Sequence, residues 1–379
     1  MSADNAYSPY KALRHLDVIE AVREHRPVRP VHVQLILSDL CNQGCHFCSY
    51  RDPAYSSSQR FYQIDPSGRG LRRDPAHPEH NYNPNRMIPT EKALEILDDC
   101  AEMGVHAIQF TGGGEPTIHP DFGTIADRCV TAGMRYAVVT NGVNVAKKGY
   151  AHVLAESSWA RISLDAGTAE TYGKMRSVPP SQFEIALQAI RDTRGAIYDL
   201  ETDCHLGVGF VVNPENWREV VTATQIARDS GAHNVRISAQ FSAQDDALFA
   251  GFHSDAAALC REAETLATAD FAVFNRFSAR VEDLRQKRPD YAICGYQHFT
   301  TYVGADLNVY RCCVLAYNDR GIVGSLRDRR FVDLWLDEER AAQFAEFDAR
   351  GCERCQFRRI NQMLDYALRG DEPMHAEFV

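Results

Sequence analysis

Cys41-Asn-Gln-Gly-Cys45-His-Phe-Cys48 sets three thiols at C-x3-C-x2-C spacing. Soft thiolates suit iron–sulfur clusters and zinc better than hard cations. Three on one tight loop can hold three irons of a four-iron cluster and leave the fourth iron open, which is an arrangement for chemistry rather than storage. Zinc draws four ligands, usually two C-x2-C pairs or one such pair with histidines; His46 would have to ligate beside its own neighbours. A disulfide belongs to an oxidising compartment, and the polar stretch Met1 to Tyr10 lacks the apolar core of a signal peptide.

Twelve cysteines occur in all. Cys100, Cys129, Cys204 and Cys260 are scattered singly and read as buried small hydrophobes. Cys294, Cys312, Cys313, Cys352 and Cys355 gather in the final quarter. There a C-x2-C pair with two more distant cysteines could complete a four-ligand shell for zinc or for a second cluster. Further polar groups fall in three places: Gly112-Gly113-Gly114-Glu115, then Arg161-Ile-Ser163-Leu-Asp165, and Arg236, Ser238 and Gln240 in alternation.

Strand patterns at 31–37, 105–110, 136–140, 160–164, 207–212 and 235–239 alternate, from the second onward, with helical patterns at 90–103, 121–132, 180–193 and 216–230. The spacing predicts a further helix over 11–26, and Thr90 as the cap of its helix. Six such units argue for an α/β fold with parallel strands and crossover helices, an open partial (β/α)6 barrel too small to close eightfold. Catalytic groups in such folds sit at the carboxyl ends of the strands, where the cysteine loop, the glycine turn and Asn141 all fall. The insert 51–88 is long for a structureless loop and is a candidate lid.

The cysteine loop, with Phe47 before its last cysteine, resembles the cluster motif of the radical S-adenosylmethionine (SAM) enzymes. The resemblance implies a [4Fe-4S] cluster on Cys41, Cys45 and Cys48 whose open iron binds SAM. Reductive cleavage then yields a 5'-deoxyadenosyl radical that abstracts hydrogen from substrate. It implies that Gly113, Gly114 and Glu115 meet the methionyl amino group, that Ser163 and Asp165 offer polar contacts to SAM, and that the strand end up to Asn213 lies near adenine. Arg236 would meet a carboxylate of SAM or substrate; a structural ion pair for Arg236 and a helix cap for Asp165 stay open.

The stretches 304–312, 323–326 and 331–335 resemble the SPASM/twitch extension of the same family, a β-hairpin plus helix around an auxiliary cluster. Five cysteines suit the shorter twitch form, with an auxiliary [4Fe-4S] cluster on Cys294, Cys312, Cys352 and Cys355. Cys313 is then spare: it packs, replaces Cys312, or donates hydrogen to a substrate radical. The expected organisation is an N-terminal extension over 1–30, the barrel over 31–240, a helical linker over 241–290 and the auxiliary domain with its tail over 291–379.

The expected reaction is a two-electron oxidation in which the auxiliary cluster takes an electron from the substrate radical, within natural-product or cofactor biosynthesis. A peptide maturase forming a cross-link, a redox-neutral epimerase or isomerase and a non-enzymatic iron–sulfur electron carrier are the alternatives. Peptide-modifying relatives often carry a leader-binding domain, whereas about 30 residues precede the first strand here, which favours a small polar metabolite. The insert carries Arg51, Arg60, Arg69, Arg72, Arg73 and Arg86 against Asp52, Asp65, Asp74 and Glu79. Arginine forks suit phosphate or carboxylate; a solvated loop with local ion pairs is the plainer reading. A flavodoxin or ferredoxin is the expected electron donor. The net charge of -10 disfavours bulk nucleic-acid binding, and no apolar stretch approaches the roughly 20 residues of a membrane helix. A cytoplasmic protein is expected.

Overall fold

The structure, a computed structural model, describes residues 7–51, 87–242 and 244–369. Residues 52–86 of the candidate lid, with all its arginines but Arg51, lie outside the described residues.

Ten strands form one sheet. They are β1 (His32–Leu35), β2 (Ala107–Phe110), β3 (Arg135–Thr140), β4 (Trp159–Ser163), β5 (His205–Val212), β6 (Asn234–Ala239), β7 (Ala272–Asn275), β8 (Thr300–Val303), β9 (Asn308–Tyr310) and β10 (Ile322–Ser325). The order across the sheet is β10-β9-β8-β1-β2-β3-β4-β5-β6-β7. Strands β1 to β7 run parallel, β8 also pairs with β1 in parallel, and β9 and β10 close the other edge in antiparallel.

All six expected strands are present, but the count of six is corrected. The segment 241–290, read as a helical linker, holds β7 between the helices His253–Glu264 and Phe277–Gln286, and β7 continues the parallel ladder from β6. Only Phe274 of β7 is buried, so no two-residue period stands out against the flanking helices. The expected hairpin β8–β9 exists, yet it does not form a sheet of its own. It covers the edge of β1, whose unpaired amides and carbonyls would otherwise be exposed.

Alternation along the strands sorts the two faces. In β4, Ala160 and Ile162 are buried toward the helices, whereas Arg161 and Ser163 face a cavity. Leu35, Phe110, Val138 and Val235 join the same core, as do Cys100, Cys129, Cys204 and Cys260, the four cysteines read as packing residues. The expected 11–26 helix is a 3-10 turn, Pro9–Arg14, and an α-helix, Leu16–Arg23. Its Ala12, Val18 and Ile19 pack with Leu364 and Leu368 of the C-terminal helix Arg358–Leu368. The helix Thr90–Met103 begins after Pro89 and stops at Gly104, whose left-handed φ of 72° suits glycine. Thr90 does not cap it; its hydroxyl donates to Asp121 at 2.5 Å instead.

Candidate functional site

The cysteine loop leaves the carboxyl end of β1 and is clamped from two sides. On one side lies the glycine turn after β2. Gly114 N donates to Ser38 O at 2.9 Å and Glu115 N to Leu40 O at 2.8 Å. A Cβ at Gly114 would sit 2.0 Å from Leu40 O, so only glycine allows this approach; Gly113 is buried beside it. Glu115 is 3% exposed, and its carboxylate accepts from Thr117 N at 3.1 Å, Thr117 Oγ1 at 2.6 Å, Thr140 Oγ1 at 2.6 Å and Asn141 N at 2.8 Å. Burial pushes its pKa up and these hydrogen bonds oppose the rise. Glu115 therefore fastens the turn to the end of β3, where Asn141 Nδ2 donates to Asn42 at 2.6 Å and stands 4.0 Å from Cys41 Sγ.

On the other side stands Arg176, at the end of the helix Ala169–Arg176 and 3% exposed. It donates to Gln43 Oε1 at 2.5 Å, lies 3.9 Å from Cys45 Sγ, and forms an ion pair with buried Asp165. Its main-chain carbonyl accepts from Gly44 N at 2.8 Å. Burial alone would lower the Arg176 pKa, but Cys45, Tyr172 and Asp165 outweigh it and hold the guanidinium charged. The other Asp165 oxygen accepts from Val211 N at 2.7 Å. Both its oxygens are thus bound to protein, and the helix cap is supplied by Thr168. Arg176 has no counterpart in the sequence reading: an arginine 128 positions beyond Cys48 carries no local signal of its partner.

Phe47 is half-buried and meets His46 edge-on at 5.7 Å; His46 in turn pairs with Glu215 at 2.6 Å. Ser163 and Arg236 line the cavity. Asn213 is 1% exposed; its Oδ1 accepts from Glu215 N at 2.9 Å, while its Nδ2 is sealed from solvent without a partner. A buried orphan donor beside the site fits a polar ligand group. The cavity measures about 1210 Å³ and draws lining from β1 through β8. A single small-molecule site usually needs roughly 300–1,000 Å³, so this one has room for a cofactor and a second ligand.

The late cysteines also come together. Cys312, Cys352 and Cys313 share one apolar cluster with Val314 and Leu315, and Cys294 is close enough to Cys355 and Cys352 for their charges to interact. Tyr291 Oη donates to Cys355 Sγ at 3.0 Å, Phe357 N approaches it at 3.3 Å, and Arg320 and Arg311 flank Cys352. Cys313 takes a hydrogen bond from Gln356 and lines the main cavity, which Cys294, Cys312, Cys352 and Cys355 do not.

Both cysteine groups fit iron–sulfur clusters by their donor chemistry. Burial, then Glu115, then Cys45 push the Cys41 thiol up to about 12, and burial with Cys355 does the same for Cys294. Such crowded thiols ionise only against a cationic partner, which a metal centre supplies. Among the described residues no three His, Cys, Asp or Glu side chains converge to hold a single metal ion; a four-iron cube takes each cysteine at a separate corner. No helix of the described residues is long and apolar enough to cross a membrane.

Comparison with known proteins agrees with this geometry. The "Radical SAM superfamily" profile matches residues 35–235, just over half of the chain. Fe-coproporphyrin III synthase of Methanosarcina barkeri is 31% identical over 135 residues, covering 35% of this chain and 31% of that protein. Mycofactocin maturase MftC of Mycobacterium ulcerans is 26% identical over 174 residues, covering 46% and 39%. These matches span about a third of the curated relatives' length. Streptococcus suis SuiB bound to precursor peptide SuiA superposes with a TM-score of 0.58 at 13% identity, over 90% of this chain and 72% of that one. The enzyme anSMEcpe with bound AdoMet gives 0.55 at 13% identity, over 89% and 96%. At these identities the structural likeness speaks for the fold.

Proposed function

The chain belongs to the radical SAM superfamily, and from that premise we propose that it is an oxidoreductase removing two electrons from a small polar metabolite. Bound to the two cysteine groups, the clusters and SAM supply hydrogen abstraction by a 5'-deoxyadenosyl radical and a one-electron sink. Cys41, Cys45 and Cys48 hold the first cluster, and Arg176 with Gln43 fixes the loop between them. Gly114 lets the strand-end turn approach that loop, and Glu115 holds the turn in place. Ser163 and the free Asn213 Nδ2 offer polar contacts to the cofactor. Cys294, Cys312, Cys352 and Cys355 hold the auxiliary cluster.

The observation that carries this reading is the second set of four cysteines, gathered next to Cys313, which lines the same cavity as Ser163 and Asp165. A centre with all four ligands from protein has no vacant position for substrate, which leaves electron transfer as its role. A peptide substrate is the second reading, favoured by the maturase among the relatives and by SuiB with its precursor peptide.

The test is anaerobic reconstitution followed by iron and sulfide counting, then dithionite and SAM. About eight irons per chain and formation of 5'-deoxyadenosine are expected, two four-iron clusters' worth. About four irons with zinc in the late cysteines would remove the electron sink and the oxidation with it. Intact clusters without SAM cleavage would favour an electron carrier.

A further inference from the structure

Four arginines of the cavity, Arg161, Arg236, Arg276 and Arg359, form no ion pair among the described residues, and the one carboxylate that acts on Arg276 and Arg359, Asp283, already pairs with Arg280. They form a row. Arg161 on β4 feels the charge of Arg236 on β6, and Arg276 after β7 feels both Arg236 and Arg359 of the C-terminal helix. The Tyr7 hydroxyl accepts a 2.6 Å hydrogen bond from Arg161 Nη2, and its ring centre lies 5.4 Å from the Arg236 guanidinium. The Nε atoms of Arg161 and Arg236 are sealed from solvent with no hydrogen-bond partner.

Nearby acids are already committed: Asp165 to Arg176 and Asp283 to Arg280 at 3.0 Å, while Asp270 lies by His233. Burial and then Arg236 depress the Arg161 pKa to about 10, against the opposing effect of the Tyr7 hydroxyl. Holding the part-buried Arg161 and Arg236 together is costly unless a ligand compensates them. SAM cannot do so: it has one carboxylate against an ammonium and a sulfonium, and is cationic overall.

We propose that the substrate is a small polyanion, with one phosphate or carboxylate group seated on Arg161 and Arg236 and a second on Arg276 and Arg359. This rests on the reading of the cavity as the active site. Guanidinium forks bind either group in bidentate fashion, so the row names the charge and its spacing over two strands and a helix.

The experiment titrates reconstituted, SAM-loaded full-length protein with pyrophosphate, with citrate and with mannitol, by calorimetry under anaerobic conditions. Saturable binding of at least one anion, none of mannitol, and weakening with added salt are expected. Arg161→Gln and Arg236→Gln should each weaken anion binding at least about tenfold, and Arg161→Lys should restore part of it. Arg359→Gln, at an exposed side chain, supplies a variant that does not threaten folding and should weaken it about threefold to tenfold. Tighter pyrophosphate assigns a phosphorylated substrate, and tighter citrate a polycarboxylate. No anion binding by the wild type, unchanged affinity in all variants, or loss of SAM binding in place of anion binding overturns the proposal. 5'-Deoxyadenosine formation by the wild type, measured in parallel, separates the two readings. Cleavage without anion binding removes the polyanion alone, and anion binding without cleavage removes the radical chemistry alone.

Discussion

Arg176 shows how one side chain decides whether the cysteine loop is a site. It reaches Gln43, Cys45 and Asp165 at once, and all of it is buried. Replacing it by Met leaves Asp165 as an uncompensated buried charge, a loss of about 3–5 kcal/mol. Arg176→Met should therefore lower the melting temperature and release iron from the first cluster, seen as a lower iron count and weaker cluster absorption after desalting. Retention of full iron at wild-type stability would show that the loop does not depend on this brace. Gly114→Ala drives a methyl onto Leu40 O and should cost about 1–3 kcal/mol with a similar loss of iron. The cysteines and the glycine turn stood out in the sequence because their chemistry is local: spacing fixes how thiols converge, and a glycine triplet permits close approach to the main chain. Glu115 and Asp165 stood out in the sequence by their place at strand ends, but their hydrogen-bond partners did not. Their partners Asn141, Arg176 and Val211 arrive from other elements, and no local pattern reports a hydrogen bond across the fold.

At the scale of elements, the hairpin β8–β9 carries the clearest pH response. Asp306 at its turn accepts from Asn308 N at 3.1 Å, Asn308 Nδ2 at 2.8 Å and Tyr310 Oη at 2.6 Å, yet burial, with Asp39 nearby, pushes its pKa up to about 6. A carboxyl raised on folding contributes stability that is fully present below its unfolded value and lost as pH rises through about 6. His32 acts in the opposite sense: burial lowers it to about 4, so its contribution is present at neutral pH and lost as pH falls through its folded value. Comparing wild type with Asp306→Asn cancels the histidine. Between pH 5 and 7.5 the wild type should lose about 1.4 kcal/mol more than the variant, read from urea unfolding at each pH. Parallel curves for the two proteins would mean that Asp306 is ionised at ordinary pH in the fold. The hairpin was expected through the family resemblance of 304–312, and β7 was not, since only Phe274 of its residues is buried and it takes its identity from pairing with β6.

Across the whole molecule, the strand–helix rhythm disclosed a parallel α/β fold but suggested a boundary that the packing denies. The last quarter is tied to the first at several places: β8 pairs with β1, and Trp335 Nε1 donates to Val28 O at 2.9 Å. Buried Asp99 accepts from the backbone of Phe331 at 2.7 Å and pairs with Arg330, while Leu364 packs on Val18 and Ile19. Sequence composition cannot show this, because β8 looks the same whether it pairs with β9 alone or with β1 as well. A segment whose apolar faces and strand edge are completed by the first hundred residues is expected to fold with them rather than alone. The full chain, with its clusters in place, should unfold in one transition, with circular dichroism and tryptophan fluorescence coinciding. A chain ending at Pro289 would expose the β1 edge and the Val18, Ile19 and Val28 surface, and should be aggregated or open to protease rather than folded. Two separated transitions in the full chain, or a soluble and cooperatively folded truncation that still holds about four irons, would instead make the last quarter an appended module. Its cysteines would then face the cavity only by docking, and electron transfer from a substrate there would depend on how firmly the module is held.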